Sequence, residues 1–63
     1  MCEANAYVVT DDQEELLLPN VASVEREGTK LLLVDLFGEQ KLIEGEIVRL
    51  DLLNHKIIIK RLA

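Results

Sequence analysis

Short apolar segments alternate with turn-forming residues along almost the whole of this 63-residue chain. The segments cover residues 5–10, 15–18, 21–27, 30–36, 40–43, 46–52 and 56–62. Between them lie the turn-like points Asp11-Asp12, Pro19-Asn20, Glu27-Gly28-Thr29, Phe37-Gly38, Glu44-Gly45 and Asn54-His55. No segment reaches the roughly ten residues that a helix normally needs, and several are rich in valine and isoleucine. This spacing predicts an all-β barrel or sandwich that forms one domain over residues 1–63.

Residues 12–18 also allow a different local structure. The run from Gln13 to Leu18 is compatible with a helical turn, and Pro19 would end such a turn because the residue before a proline is disfavoured in the α region. At the turns, Gly38 allows a positive φ beside Phe37, which we expect to anchor the core. The other two glycines of the chain are both predicted to be hairpin glycines, and these are Gly28 and Gly45.

The later segments are apolar on more than one face. The residues whose alternation predicts a core face are Val48, Leu50, Leu52, Ile57 and Ile59. Ile58 lies on the opposite face from its two neighbours, and residues 31–34 are apolar on both sides. A small open sheet with one wet face would alternate more cleanly. We therefore expect closure into a strongly bent barrel and, in addition, burial of a second face in a symmetric homodimer.

Charge and composition limit the kinds of binding partner that this chain can have. The chain has a net charge of −5, and its first 25 residues contain six acids and no lysine or arginine. A phosphate backbone is repelled by such a segment, and Tyr7 and Phe37 are too few aromatics for a base-stacking platform. No apolar run exceeds four residues, and the start of the chain lacks the pattern of a signal peptide. We expect no membrane partner and no nucleic-acid partner.

A single thiol, Cys2, lies beside the first residue of the chain. One cysteine cannot form an intrachain disulfide, which favours the reducing cytoplasm. The α-amine of Met1, the amide of Cys2 and the Cys2 thiolate would close two five-membered chelate rings, a donor set that suits square-planar Ni(II) or Cu(II). If Met1 is removed, the amine and thiolate of Cys2 chelate as a pair, and two chains supply two nitrogens and two sulfurs. Local acids, Glu3 and also Asp11 and Asp12, would raise the cation concentration.

Other residues offer little chemistry. His55 is the only histidine, and its place between Asn54 and Lys56 is typical of a turn residue, with metal ligation as the lesser alternative. Glu14 and Glu15 are adjacent, so on a strand they point to opposite faces and do not form a catalytic pair. No phosphate-binding loop, nucleophile elbow or paired-cysteine zinc motif is present. We expect that the chain is not an enzyme.

Four stretches, in order along nearly the whole chain, resemble the CooT family. They are Met1-Cys2-Glu3-Ala4-Asn5-Ala6-Tyr7, Leu36-Phe37-Gly38-Glu39-Gln40-Lys41, Gly45-Glu46-Ile47 and His55-Lys56-Ile57. Members of that family are small nickel-binding accessory proteins linked to the maturation of carbon monoxide dehydrogenase. The resemblance implies a small SH3-like or Sm-like bent sheet or barrel, a homodimer, and Ni(II) bound by Cys2, whose Met-Cys context matches the family.

The expected function is therefore that of a cytoplasmic nickel metallochaperone, or a nickel store, whose client enzyme is carbon monoxide dehydrogenase. Two alternatives remain open. An Sm-like RNA-binding module would require its basic residues to converge on one face, namely Lys41, Arg49, Lys56, Lys60 and Arg61. A structural, protein-binding module would leave Cys2 without a metal role.

Overall fold

Five β-strands form a closed barrel in a computed structural model that describes residues 3–61. The strands are β1 (Ala4–Thr10), β2 (Gln13–Glu27), β3 (Lys30–Asp35), β4 (Gln40–Asp51) and β5 (Lys56–Arg61). Consecutive strands pair antiparallel, and β5 closes the barrel by pairing parallel with β1. The predicted all-β barrel is confirmed. Within the described range, no helix is long and apolar enough to cross a membrane.

Two of the strands are longer than the sequence predicts, because each passes through a predicted turn. β2 continues through Pro19-Asn20, pairing first with β1 and then with β3. The pairing is irregular there, and Asn20 has a positive φ of 56°, so the strand bends without needing an amide from Pro19. The helical alternative for residues 12–18 is wrong, since this stretch pairs with β1 from residue 13 onward.

The three glycines divide into two classes. Gly28 and Gly38 lie in turns with φ of 66° and 86°, which confirms both predictions. Gly45 is not a hairpin glycine, because it is buried within β4 opposite Arg61. A Cβ at this position would lie 2.6 Å from the carbonyl oxygen of Lys60. Glycine is needed here for close approach of two strands where β4 bends from β3 to β5.

Nine buried apolar residues contributed by all five strands form the core. They are Ala6, Val8, Leu18, Val21, Leu31, Leu33, Ile43, Ile57 and Ile59. The predicted inward positions of Ile57 and Ile59 are confirmed, and Ile58 is buried as well. The prediction for Val48, Leu50 and Leu52 is wrong, because all three are exposed. Beyond Glu44 the pairing of β4 is with β5 alone, and it is irregular between Ile47 and Arg49.

The prediction for Phe37 is also wrong. Its side chain is 83% exposed and does not anchor the core. Tyr7, the other aromatic residue, is half-buried, and the ammonium nitrogen of Lys56 lies 5.1 Å from the centre of its ring. The barrel is therefore filled by aliphatic side chains, and several apolar residues remain on its outer surface.

Candidate functional site

The described chain begins at an exposed residue, Glu3, followed by the half-buried Ala4 at the start of β1. Cys2 lies outside the described residues. The amide of Asn5 donates a hydrogen bond of 2.8 Å to the carbonyl oxygen of His55, where the parallel β1–β5 ladder begins. This bond fastens the start of β1 to the turn between β4 and β5. The described part of the chain therefore begins beside that turn.

Two asparagines extend this connection to the other side of β1. The side-chain oxygen Oδ1 of Asn5 accepts a hydrogen bond of 3.1 Å from the amide of Asn20. The carbonyl oxygen of Asn20 accepts one of 2.9 Å from the amide of Leu36, in the loop between β3 and β4. Three hydrogen bonds thus join the start of β1, the bend of β2 and two loops. We call this region, centred on Ala4, Asn5, Asn20 and His55, the amino-terminal corner.

The sequence does not predict that either asparagine belongs to a site. Asn5 and Asn20 are 15 positions apart, and a side-chain contact over that separation has no local sequence signature. The positive φ of Asn20 is the kind of conformation that asparagine tolerates better than most residues. The backbone does turn at Pro19-Asn20, as the sequence predicts. The two residues form a bend within a strand, however, and not a turn between two strands.

The turn between β4 and β5 is organised by a carboxylate. Asp51 accepts hydrogen bonds from the side-chain and backbone nitrogens of Asn54, at 2.9 and 3.1 Å. The side-chain hydrogen bond from Asn54 is the main cause that lowers the pKa of Asp51, and the backbone bond and the nearby Arg49 act in the same direction. His55 completes the turn with a positive φ of 56°, as expected of a turn residue.

An apolar pocket of about 180 Å³ lies beside the start of β1. Ala4 lines it together with Leu50, Leu52 and Ile57, and His55 also contributes to its wall. Next to the pocket, Leu52 and Leu53 are 80% and 92% exposed. We call Leu50, Leu52 and Leu53 the leucine patch. At the amino-terminal corner, the residues that follow Cys2 in the sequence therefore lie beside an exposed apolar surface.

Two of the acids expected to attract a cation lie elsewhere. Asp11 and Asp12 form the turn after β1, with positive φ values of 49° and 67°. A strand of this length spans about 20 Å, so this turn is at the far end of β1 from Ala4. Their expected role near Cys2 is therefore wrong. Only Glu3 of the three named acids lies next to the amino-terminal corner.

Among residues 3–61, no group of three or more histidine, cysteine, aspartate or glutamate side chains is arranged to hold a metal ion. Glu14 and Glu15 are both exposed on β2, and Glu14 contacts Lys56 at 3.5 Å.

The basic residues are interleaved with acids. Arg49 lies 3.6 Å from Asp51, and Lys60 is opposite Glu46 in the β4–β5 ladder. Lys41 lies on the other half of β4, which pairs with β3. This arrangement does not favour the phosphate-binding face that an RNA-binding barrel requires.

Comparison with known proteins agrees with this fold over nearly all of the chain. A family model described as "CO dehydrogenase accessory protein CooT" matches residues 1–60. The chain belongs to the CooT family. The description is that of an accessory protein, in agreement with the expectation that this CooT-family protein is not an enzyme.

Two individual proteins are similar to it. The crystal structure of a candidate CooT from Carboxydothermus hydrogenoformans superposes with a TM-score of 0.92 at 40% identity, and the match covers 98% of this chain and 100% of that one. An uncharacterised protein of Methanocaldococcus jannaschii is 40% identical over 60 residues, which are 95% of this chain and 98% of the relative. Both matches cover nearly the full length of the two relatives.

Proposed function

We propose that this CooT-family protein is a cytoplasmic nickel metallochaperone, which binds Ni(II) through Cys2 in a homodimer and passes the ion to carbon monoxide dehydrogenase. Nickel is the cargo of the protein in this proposal. The observation that carries the proposal is the attachment of β1 at the amino-terminal corner, where Asn5 is bonded to both His55 and Asn20.

That attachment supports a site which is held in place and also accessible. Two peptide units join Cys2 to Ala4, so the covalent chain keeps their Cα atoms within about 7 Å. Glu3, between them, is exposed. A transferred ion must be reached by its next ligand, and ligands at the start of a chain meet this requirement better than ligands in an enclosed cleft.

The donors available near Cys2 suit nickel. The Cys2 thiolate, its amide and the α-amine of Met1 form one ligand set, and the amine and thiolate of Cys2 from two chains form another if Met1 is removed. Both sets combine nitrogen and sulfur in the way that square-planar Ni(II) favours. In either case the thiol must lose its proton, which the charge of the metal promotes.

A homodimer formed through the leucine patch would favour the site with two thiolates. The leucine patch exposes large apolar side chains beside the pocket that Ala4 lines. The nearby Arg49 and Asp51 already form a pair, so two such surfaces can meet without strong charge repulsion. Two-fold contact through the leucine patch would bring two Cys2 segments toward the same axis.

The test is a nickel titration of the wild type and of Cys2→Ser, followed by the absorbance of the thiolate-to-metal charge transfer. We expect the variant to lose nickel binding and to keep its fold and its number of subunits. His55→Asn is the matched control, because asparagine tolerates the positive φ of residue 55, and we expect it to bind nickel as the wild type does. Native mass spectrometry of the same samples counts chains and ions and reports whether Met1 is retained. Stoichiometric nickel binding by Cys2→Ser would refute the proposal.

A further inference from the structure

A buried carboxylate organises the loop between β3 and β4. Asp35 is only 6% exposed, and its Oδ1 atom accepts hydrogen bonds from the amides of Phe37 and Glu39 at 2.9 and 2.8 Å. The backbone of Asp35 adds two more bonds, donating to the carbonyl oxygen of Glu39 and accepting from the amide of Gly38. A buried carboxylate is tolerated only when it is well bonded, and here it is bonded entirely to this one loop.

The side chain that this loop presents is Phe37. The amides of Phe37 and Glu39 donate hydrogen bonds to the carboxylate of Asp35, and the amide of Leu36 donates one to the carbonyl oxygen of Asn20. Phe37 itself is 83% exposed. A large aromatic side chain held out into water by an ordered loop gives nothing to the barrel core. It is the arrangement expected of an interface anchor, because little conformational entropy remains to be lost on binding.

We propose that Phe37 is the anchor by which this protein docks onto its client enzyme, entering an apolar pocket rimmed by basic side chains. This inference rests on the client named in the proposed function. The basic rim follows from charge, because the exposed carboxylate of Glu39 lies two residues after Phe37 and the whole chain carries a net charge of −5. Complementary charge at the rim would steer the encounter and fix its orientation.

The same charges argue against a second copy of this chain as the occupant. A two-fold contact centred on the Phe37 loop would bring the two copies of Glu39 toward the same axis. Like charges brought together across an interface oppose binding. The leucine patch, beside the Arg49–Asp51 pair, carries no such penalty. The two exposed apolar surfaces therefore suit different partners.

The position of the loop suits transfer of an ion. Leu36 is bonded to Asn20, and Asn20 is bonded to Asn5, which begins the strand that follows Cys2. Docking through Phe37 would therefore present the amino-terminal corner to the same partner surface.

Binding to purified, nickel-free carbon monoxide dehydrogenase tests the inference. The enzyme is immobilised and the dissociation constant is measured for the wild type, Phe37→Ser, Phe37→Leu and Leu16→Ser. We expect Phe37→Ser to weaken binding by about tenfold or more, the effect typical of an interface anchor, and Phe37→Leu to fall between it and the wild type. Leu16 is a matched control because it is also an exposed apolar residue and lies on β2 opposite Tyr7. Its replacement should leave the dissociation constant unchanged.

Nickel content and the number of subunits are measured on the same four proteins. These two measurements distinguish a failure of this inference from a failure of the proposed function. If the wild type does not bind the enzyme, or Phe37→Ser binds it equally well, the docking role of Phe37 is refuted. If Phe37→Ser dissociates a homodimer, the loop belongs to a contact between copies, and the inference is likewise refuted. A wild type that docks through Phe37 and takes up no nickel would refute only the nickel proposal.

Discussion

The amide of Asn5 and the carbonyl oxygen of His55 are joined by a hydrogen bond of 2.8 Å. This contact begins the parallel pairing of β1 with β5 and so closes the barrel. It also connects the only histidine of the chain to the strand that follows the only cysteine. The main role of His55 is thus structural, because its backbone turns β4 into β5 and receives the start of β1.

Replacing Asn5 with alanine should loosen the amino-terminal corner. The variant loses the Oδ1 atom that accepts the amide of Asn20. We expect a decrease of about 1 kcal/mol in the free energy of unfolding, the usual contribution of one hydrogen bond. Nickel affinity should fall measurably, with about tenfold as the upper limit, since a hydrogen bond of this strength can transmit little more to the site. Thermal unfolding and nickel titration measure the two effects.

Asn5→Asp is the control for this prediction, because it retains an oxygen at the same position. Amide hydrogen exchange should become faster at Asn20 in Asn5→Ala and should change less in Asn5→Asp. Faster exchange at Asn20 with unaltered nickel affinity would contradict the coupling between the corner and Cys2.

A charge on the leucine patch should separate the proposed homodimer. Leu52 is 80% exposed in the single chain, so Leu52→Asp leaves the barrel core intact but places a carboxylate in the proposed contact. We expect light scattering to give the mass of one 7.1 kDa chain. Nickel bound between two Cys2 thiolates should be lost with the dimer. Leu16→Asp, which alters an exposed leucine on β2, should keep the dimer. A Leu52→Asp variant that remains dimeric would exclude this face.

Removing the carboxylate of Asp35 should impair docking without altering Phe37. Asp35→Ala leaves the amides of Phe37 and Glu39 without their acceptor, at a cost of about 1 to 3 kcal/mol in stability. The loop should then exchange its amide hydrogens faster, and affinity for the client enzyme should fall because Phe37 is no longer held in one place. Asp35→Asn keeps an Oδ1 acceptor and should preserve most of the affinity. Equal affinity in Asp35→Ala and the wild type would show that loop order is irrelevant to docking.

The sequence predicts most of the strands because their signals are local. Gly28 and Gly38 mark turns whose positive φ values the structure confirms. The failures at Pro19 and Gly45 have one cause, since local rules treat proline and glycine as ends of strands. In this barrel both residues lie at bends where a strand changes its partner, and only the neighbouring strands make those positions favourable.

The candidate site is predicted less completely than the fold. Cys2 was identified from the chemistry of its donors and from the family resemblance, and its metal role stays a prediction. Asn5 and Asn20 were missed because their contact joins residues distant in sequence. Phe37 and Leu50 were assigned to the core because hydrophobicity alone does not distinguish a core residue from an interface residue.

Acid should loosen the turn that presents the leucine patch. The folded-state pKa of Asp51 is lowered below its ordinary value of 3.8, mainly by the side-chain hydrogen bond from Asn54. Stabilisation by the ionised carboxylate is therefore complete above that ordinary value and is lost as pH falls through the lowered value. Amide exchange at Asn54, measured over a series of acid pH values, should accelerate in this window. Asp51→Asn should lack that transition, and an identical acid transition in the variant would assign it to another group.

A methyl group at Gly45 should open the barrel where β4 meets β5. The Cβ of Gly45→Ala would lie 2.6 Å from the carbonyl oxygen of Lys60 and 3.2 Å from Cγ2 of Ile59, and the first of these contacts is with backbone that cannot rotate away. The two strands must separate, so we expect a loss of about 1 to 3 kcal/mol in the free energy of unfolding, as for other overpacked sites. Glu46→Ala is the matched control, since the adjacent residue is exposed and should change stability by less than about 0.5 kcal/mol. Denaturant unfolding of both variants measures the difference. Equal stability of Gly45→Ala and the wild type would show that the β4–β5 pairing at this bend can widen without loss.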